Sequence, residues 1–388
     1  MTSDAPFQFN RMTFENQEAF VRSGRRCATP IPNDFQITHI ADSLRAYRQA
    51  GAREVETATI NVQFIHIVSG NDGKITEQQR VDQIAVLNGA YNQHGITFEH
   101  DEAAVMEVNK PQWFHMGYGS QAERSAKNAL HVDPLRNLNF YTADLQDSLL
   151  GWATFPADLA GDLNRDGVVL LHSSLPGGSS APYNLGDTAT HEVGHWLGLY
   201  HTFEPRGTCD PFDDRVDDTV AHMNPDFGTP GPGVYSACDG VSLSPVKNYM
   251  NYTDDSWMDH FTLGQGGRMR DQIGLYRPGL VSEAPEPDSQ LVLSAVATGN
   301  LSGTGQELVF SVNLPTNTTI TLDGPGGVDF DLYVRLNQAP TTTEYDQRSY
   351  SAGPDESLQV TPTPPGLYFI MVRSYSGSGN FELRVALD

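Results

Sequence analysis

The chain has 388 residues and a formal charge of −24, with 48 acidic and 24 basic side chains. Its length suits several domains, and its 38% hydrophobic content suits globular cores. Because nucleic acids and anionic membranes are bound by clustered Lys and Arg, this charge argues against both as partners. It is typical of an extracellular, calcium-loaded protein, although solubility alone would explain it equally well.

No stretch approaches the roughly 20 apolar residues of a membrane-spanning helix, so we expect no membrane span. Residues 1–20 lack a basic start followed by an apolar run, and no ordinary signal peptide is visible. An exported protein would then need a leader outside this sequence or another export route.

Strand and helix patterns alternate over the first 277 residues. Apolar side chains recur at every second position in residues 58–68 and at helical spacing in residues 76–91. This alternation predicts an α/β (α+β) layer architecture. The predicted helices are 16–22, 40–49 and 76–91, and the predicted strands are 58–68, 97–99, 139–141 and 168–171.

A complete HExxHxxGxxH motif spans residues 191–201. Residues four apart share one face of an α-helix, so His191 and His195 can reach one ion. Gly198 can adopt a left-handed backbone that ends the helix and returns His201 as a third ligand. Three imidazoles with one open position are typical of catalytic zinc. A chance HExxH on a surface helix would not explain the added Gly and His.

Glu192 directly follows the first ligand, which places its carboxylate beside any water on the ion. Zinc held by neutral imidazoles lowers the pKa of its water towards ~7 and polarises a carbonyl. Glu192 is therefore predicted to take the proton from the attacking water and deliver it to the leaving amine.

A short polar-aromatic turn, residues 248–252, has Met250 at its centre. With the zinc motif it resembles the metzincin metallopeptidases, in which a methionine-containing turn (the Met turn) runs beneath the zinc. The resemblance implies that Tyr252 lies beside the metal, where its phenol would coordinate zinc and later stabilise the oxyanion. Ordinary packing is the alternative for both side chains.

Further segments are similar to the pappalysin family of metzincins, over about residues 55–277. The family implies a zinc endopeptidase with an upper subdomain of twisted sheet and helices and a smaller, irregular lower subdomain. It also implies Arg or Lys after the scissile bond. We expect an acidic pocket formed by Asp254 or Asp255 to hold that side chain, unless these carboxylates are solvated loop charges. The matching segments are 166–169, 175–178, 183–188, 201–203, 214–219, 261–265 and 268–269.

The family resemblance pairs Cys209 with Cys238 in a disulfide that would constrain the unfolded chain by roughly 3–4 kcal/mol. Cys27 is then left unpaired. We hypothesise that residues 1–52 form a pro-segment whose Cys27 thiolate occupies the open zinc position and keeps the enzyme latent. The alternative is a buried, inert cysteine.

Two further expectations follow from the latent state. Arg25 and Arg26 would lower the pKa of the neighbouring thiol. Activation would require cleavage near the bond between Ala52 and Arg53, where the basic residue suits self-processing.

Acidic residues crowd the segment 210–218, where a cation would relieve their repulsion. The family resemblance fits Asp214, the Val216 carbonyl and Thr219 to a calcium loop; a solvated charge run is the alternative. Segment 162–167 imitates the start of an EF-hand loop, but its twelfth position is Ser173, and we expect a surface turn there.

Residues 278–290 are Pro-rich and acidic and predict a linker. The remainder, 291–388, consists of short strand-like runs divided by Gly, Pro, Asn and Ser, which predict an all-β sandwich. Segments 330–334 and 366–369 resemble the bacterial pre-peptidase C-terminal domain. The predicted strands are 308–312, 318–322, 329–336, 358–360, 368–373 and 381–387.

These features together predict a secreted, monomeric zinc endopeptidase that acts on proteins or peptides, made as a zymogen, with its catalytic domain at 53–277. The chief alternative is a binding protein whose C-terminal module engages a surface ligand while the zinc fold is an inactive scaffold. The intact Glu192 argues against it. A zinc hydrolase of non-peptide bonds is compatible with the site chemistry alone.

Overall fold

The computed structural model divides into two compact units whose boundary lies near residue 282. No helix in the described part of the chain is long and apolar enough to cross a bilayer. The proposed domain boundaries at 52 and 290 and the cleavage site beside Arg53 lie outside the described residues and stay predictions. The structure describes residues 5–49, 55–159, 162–209, 214–231, 237–281, 295–314, 317–336, 340–362 and 366–387.

A seven-stranded mixed sheet organises the first unit, beside a separate two-stranded hairpin near the N-terminus. The hairpin strands are β1 (Phe7–Phe9) and β2 (Met12–Phe14). The sheet strands are β3 (Ala58–Val68), β4 (Ile96–Glu99), β5 (Met106–Asn109), β6 (His115–Met116), β7 (Asn137–Leu145), β8 (Gly151–Ala153) and β9 (Val168–Leu171).

The main path of the sheet is β4-β3-β7-β9-β8, while β5 pairs with β3 and β6 with β7. All pairings are parallel except that of β8 with β9. Both faces are covered, as expected for parallel strands: Ile60, Val62 and Phe64 join one buried cluster, and Ile65 and Ile67 join the other.

Helices with clear sequence caps flank this sheet. Thr76 and Thr262 each form a capping box with the Gln three residues on. Periodicity predicted that the second helix begins at residue 40, but it begins at Asp34. The helices are α1 (Gln17–Arg22), α2 (Asp34–Gln49), α3 (Glu77–Tyr91), α4 (Pro111–Phe114), α5 (Gln121–Leu130), α6 (Asp187–Trp196) and α7 (Leu263–Tyr276).

The surface turn expected at 162–167 is wrong for Asp166, which is fully buried. Its carboxylate accepts hydrogen bonds of 2.7 and 2.9 Å from the Arg277 guanidinium and of 3.0 and 3.1 Å from Trp196 Nε1. The guanidinium also lies 3.8 Å from the Trp196 ring centroid. Buried charge is tolerated only when it is paired, and the paired Asp166 therefore anchors the end of α6, while Asp162 and Arg165 of the same segment are exposed.

The second unit is a sandwich of two four-stranded antiparallel sheets, ordered β10-β17-β12-β15 and β11-β16-β13-β14. Every predicted strand is present; β10 was missed because Gly299 and Asn300 interrupt its apolar residues, and β14 because it is very short. The strands are β10 (Ala295–Leu301), β11 (Glu307–Leu314), β12 (Thr318–Asp323), β13 (Asp329–Leu336), β14 (Gln347–Ser349), β15 (Glu356–Val360), β16 (Gly366–Ser376) and β17 (Gly379–Leu387).

Candidate zinc site and the N-terminal segment that covers it

Helix α6 carries the first two predicted ligands and is buried along its whole length. It is followed by Gly198, whose φ of 92° confirms the expected left-handed turn. A Cβ at Gly198 would lie 2.4 Å from the Gln272 side chain, so no other residue fits there. The chain therefore reverses and returns His201 to the helix.

The structure brings four predicted metal ligands to one point, although they come from three separate segments. All four are buried, and their ligand atoms lie within 4.8 Å of one another. They are Cys27, His191, His195 and His201.

Backbone carbonyls orient the first two imidazoles. His191 Nδ1 lies 2.7 Å from the Tyr249 oxygen, and His195 Nδ1 lies 2.8 Å from the Leu199 oxygen. Each Nε2 is thereby left for an ion, which is the usual arrangement for ligating histidines. His191 Nε2 is buried and has no hydrogen-bond partner among the described residues. An orphaned nitrogen at this point fits a metal ion.

The third imidazole is oriented by a side chain instead. His201 Nδ1 lies 3.0 Å from Glu204 Oε1, and its Nε2 lies 3.0 Å from His195 Nε2. Burial, followed by the charges of Arg206 and Arg26, lowers the pKa of His201 to about 3. Burial also lowers the pKa of the other two imidazoles, so all three are neutral, as metal ligands must be.

Glu192 faces the same point and is covered by the N-terminal segment. Its Oε2 accepts a hydrogen bond of 2.8 Å from Thr29 Oγ1 and lies 3.5 Å from Cys27 Sγ. Burial raises the pKa of Glu192 to about 7, although the hydrogen bonds from Thr29 and Cys27 oppose this. Sequence reasoning missed Thr29, because no motif identifies a hydroxyl 163 positions before its partner.

The expectation that Arg25 and Arg26 lower the pKa of the Cys27 thiol is wrong. Burial, then the Glu192 charge, raises that pKa well above its usual value. Arg25 donates instead to the Asp147 carbonyl at 2.6 Å, at an exposed position. Arg26 points away towards Asp255. A thiolate in this cleft would need a cation beside it.

The Met turn lies directly against α6, the helix that carries His191 and His195. Met250 is fully buried, and a Cβ on Gly194 would lie 2.5 Å from its Sδ. This explains the glycine inside the HExxH segment, which the motif itself does not require. Tyr252 Oη lies 3.0 Å from His201 Nε2, and burial raises the pKa of the phenol. Tyr252 therefore reaches the ligand cluster, as expected.

The structure separates the two candidate specificity carboxylates. Asp254 is half-buried and accepts a hydrogen bond from Gln17 of the N-terminal segment. Asp255 is buried, and its Oδ2 accepts from the Leu185 amide at 2.9 Å. Burial raises the pKa of Asp255 to about 6, and the Arg26 charge opposes the rise.

Arg26 fills the space in front of Asp255 and is completely buried. Its Nη2 lies 3.7 Å from Asp255 Oδ1, and its Nη1 donates to Thr188 Oγ1 at 3.2 Å. The guanidinium carbon lies 4.8 Å from the centroid of the Tyr183 ring. A charged group, a hydroxyl and an aromatic face thus surround one arginine.

The expected disulfide between Cys209 and Cys238 is present in the chain segment that follows His201. The predicted calcium residues also lie together: Asp214 Oδ1 accepts from the Val216 amide at 3.1 Å and from Thr219 Oγ1 at 2.6 Å. Thr219 Oγ1 also lies 2.8 Å from the Val216 carbonyl oxygen. Calcium binding itself stays a prediction.

Comparison with known proteins agrees with this geometry. Residues 126–274 match the family model described as pregnancy-associated plasma protein-A, and residues 306–374 match the bacterial pre-peptidase C-terminal domain. Extracellular metalloprotease 1 of Coccidioides posadasii is 38% identical over 266 residues, which cover 66% of this chain and 92% of the relative. An extracellular metalloprotease of Verticillium alfalfae is 39% identical over 57% of this chain and 78% of its own.

Solved structures show the same similarity. Mature mirolysin of Tannerella forsythia, in complex with a cleaved peptide, matches with a TM-score of 0.52 and 26% identity over 58% of this chain and 99% of its own. A promirolysin mutant matches in fold, with a TM-score of 0.57 and 24% identity over 66% of this chain and 95% of its own.

Fold and site together define a metzincin-type zinc metalloendopeptidase. The chain belongs to the pregnancy-associated plasma protein-A family of peptidases and carries a pre-peptidase C-terminal domain. Its relatives are named extracellular, and the expected secretion is confirmed.

Proposed function

We propose that this chain is a latent endopeptidase in which Glu192 is the general base and the segment that carries Cys27 blocks the active site. One observation carries the proposal. Three neutral imidazoles and one buried thiol converge within 4.8 Å, and the thiol comes from a segment about 160 residues earlier in the sequence. Structural zinc sites are closed by four protein ligands and need no carboxylic acid beside them. Here the buried Glu192 lies beside the thiol, which is the arrangement expected of a catalytic site whose open position is blocked.

His191, His195 and His201 would hold zinc, which when bound polarises the scissile carbonyl and lowers the pKa of a water molecule to about 7. Glu192, whose carboxyl lies 3.5 Å from the Cys27 thiol at the same cluster, would take a proton from that water. The same carboxyl would return the proton to the leaving amine. The Tyr252 phenol would donate to the developing oxyanion.

Latency would come from several contacts besides Cys27. Thr29 Oγ1 donates to Glu192 and accepts from the Ala153 amide at 2.8 Å, so it occupies both the base and the strand edge. The Ala28 amide donates to the Gly151 carbonyl at 2.9 Å. The pro-segment therefore lies along β8, and a substrate cannot pair with that edge until the segment leaves.

Asp255 would select the residue after the scissile bond. Arg26 supports this assignment because it already places a guanidinium against that carboxylate, in a fully buried position. A pocket that accommodates an arginine of the chain itself is suited to an arginine of a peptide substrate. Asp254 would be secondary, since it faces Gln17 in the latent form.

Calcium in the loop of Asp214, the Val216 carbonyl and Thr219 belongs to the same proposal, as do the domain limits 1–52, 53–277, 278–290 and 291–388. Asp218 is accounted for otherwise, because its Oδ2 accepts from the Gly264 amide at 2.8 Å, at the start of α7. This leaves Asp214 as the buried carboxylate of the loop. A monomeric state remains an expectation.

The test is to incubate the purified full chain with calcium and to read its N-termini together with the cleavage sites in a peptide library. We expect a new N-terminus near Arg53, hydrolysis that a zinc chelator abolishes, and arginine after most cuts. A chain that contains stoichiometric zinc but cleaves no peptide, before or after removal of residues 1–52, would refute the proposal.

A further inference from the structure

A buried carboxylate outside every recognised motif lies behind the Met turn. Asp226 is 3% exposed, and Asn251, its main partner, is fully buried. Asp226 Oδ2 accepts from Asn251 Nδ2 at 2.8 Å, and the Asp226 amide donates to Asn251 Oδ1 at 2.9 Å. The two residues are therefore joined twice, once through a charged acceptor, and such bonds are the stronger kind.

Asn251 completes its hydrogen bonding within the turn. Its Oδ1 also accepts from the Tyr252 amide at 2.8 Å, and its Nδ2 also donates to the Pro245 carbonyl at 3.2 Å. Its oxygen thus faces two N–H groups and its amide nitrogen faces two oxygens. The side chain can adopt only this orientation without leaving buried polar groups unpaired.

Asn251 lies between the two functional positions of the turn. Met250 precedes it beneath α6, and Tyr252 follows it with its Oη 3.0 Å from His201 Nε2. The bond from the Tyr252 amide to the Asn251 side chain determines where the tyrosine leaves the turn. A misplacement of about 1 Å at a reacting group can cost on the order of 100-fold in rate.

His222 forms a second connection, between Asp226 and the segment that contains His201. His222 Nδ1 lies 3.5 Å from Asp226 Oδ2, and His222 Nε2 lies 2.8 Å from Thr202 Oγ1. Thr202 directly follows His201, and its amide donates to the Met250 carbonyl at 3.4 Å. The same carboxylate thus lies between the two chain segments that meet at the phenol–imidazole contact.

We infer that Asp226 is a positioning residue that holds Tyr252, through Asn251, where the phenol can act on the substrate. The inference rests on the proposed peptidase function and adds to it a residue that touches neither substrate nor metal. Nothing in the local sequence around residue 226 indicates this role, because the partners are 25 and 26 positions away.

The test is a double-mutant cycle in the protein after activation of the full chain, with kcat, KM, zinc content and unfolding temperature measured for each variant. We expect Asp226→Ala and Tyr252→Phe each to lower kcat by about 10- to 100-fold with little change in KM. If Asp226 acts through Tyr252, the combined variant lies within about threefold of Tyr252→Phe alone. Effects that multiply, or a kcat of Asp226→Ala equal to that of the parent, would overturn the inference.

A reciprocal exchange provides a second test that does not depend on the folding of Asp226→Ala. Asn251→Asp places two carboxylates together and should lower kcat by about the same factor as Asp226→Ala. Combining Asn251→Asp with Asp226→Asn restores one amide–carboxylate hydrogen bond with reversed roles but not the bond to the Pro245 carbonyl, so kcat should rise at least about threefold above that of Asn251→Asp. Failure of the exchange to restore kcat above that of Asn251→Asp would contradict the inference.

Ser244→Ala is the matched control, because the Ser244 hydroxyl donates to Asp226 Oδ1, at 3.3 Å, and not to the oxygen that Asn251 contacts. Its kcat should stay within about twofold of the parent, as for a substitution away from the turn. If the parent itself cleaves nothing, the proposed function fails. If the parent cleaves and the cycle is additive, only the role of Asp226 fails.

Discussion

The two units bury different kinds of side chain. Both units have apolar clusters, and the buried carboxyls in the described part of the sandwich, Asp331 and Glu356, accept hydrogen bonds from hydroxyl groups. The first unit also buries the guanidinium groups of Arg26 and Arg277, and it buries the Glu192 carboxyl beside the ligand cluster. Burying charge costs free energy unless it is paired. The unit that bears this cost is the one that carries the chemistry.

The sharpest way to test this contrast is to neutralise the buried base. Glu192→Gln should lower peptide hydrolysis by on the order of 10⁴-fold, because the amide cannot accept a proton from water. Zinc content and unfolding temperature should stay close to those of the parent, since the amide keeps the shape. Hydrolysis that remains within tenfold of the parent would show that another group is the base.

Removing the thiol tests whether the N-terminal segment belongs functionally to the same site. Cys27→Ala should raise the peptidase activity of the uncleaved full chain by about tenfold or more, because activity scales with the fraction of molecules whose site is open. Mass spectrometry should show residues 1–52 still attached at the first time points. The same chain with Glu192→Gln added is the control and should stay inactive.

Latency that survives the loss of the thiol would assign inhibition to the remaining contacts. Arg26→Ala then distinguishes the contact of Arg26 from that of Thr29, because it empties the pocket beside Asp255 and leaves Cys27 and Thr29 in place.

Asp255→Asn should change specificity rather than chemistry. We expect kcat/KM for peptides with arginine after the scissile bond to fall by about 10- to 100-fold, the loss of one charge-assisted pair, with alanine peptides unaffected. Burial raises the pKa of Asp255 to about 6, and the carboxylate is needed in its charged form. The preference of the parent for arginine should therefore weaken as falling pH protonates Asp255, and that of Asp255→Asn should not. An arginine preference unchanged by Asp255→Asn would contradict the assignment.

The smallest effect on catalysis is expected in the sandwich. Ile320 is fully buried in its apolar cluster, so Ile320→Ala should lower the free energy of unfolding of that unit by about 2–5 kcal/mol. kcat on short peptides should be unchanged at temperatures where the variant is folded. Calorimetry checks the first expectation and steady-state kinetics the second. A parallel loss of kcat would show that the two units are not independent.

The parts of the site that follow from local spacing were predictable. Helix α6, the left-handed Gly198 and the three histidines all depend on residues within a dozen positions of one another. The strand at 58–68 and the strand at 168–171 were also found with correct limits, because the first is rich in β-branched residues and the second is a continuous apolar run. The family resemblance added Met250, Tyr252 and the disulfide, whose partners lie farther apart.

Other parts needed the folded chain. Three contacts at the site join residues that no motif connects. They are those of Thr29 with Glu192, Glu204 with His201 and Arg26 with Asp255. The direction of the Cys27 pKa was wrong because charge was judged from neighbours in sequence, whereas burial and the distant Glu192 dominate it. Asp166 was misjudged for the same reason, since Arg277 is 111 positions away.

The amino-acid sequence alone determined the reaction class, because metal ligands at helical spacing and an adjacent acid are local features that backbone geometry converts directly into a site. Only the tertiary structure decided what covers that site, which acid receives an arginine and what holds Tyr252 in place. Those outcomes depend on which polar groups are excluded from water together, and that is set by the packing of segments distant in the sequence.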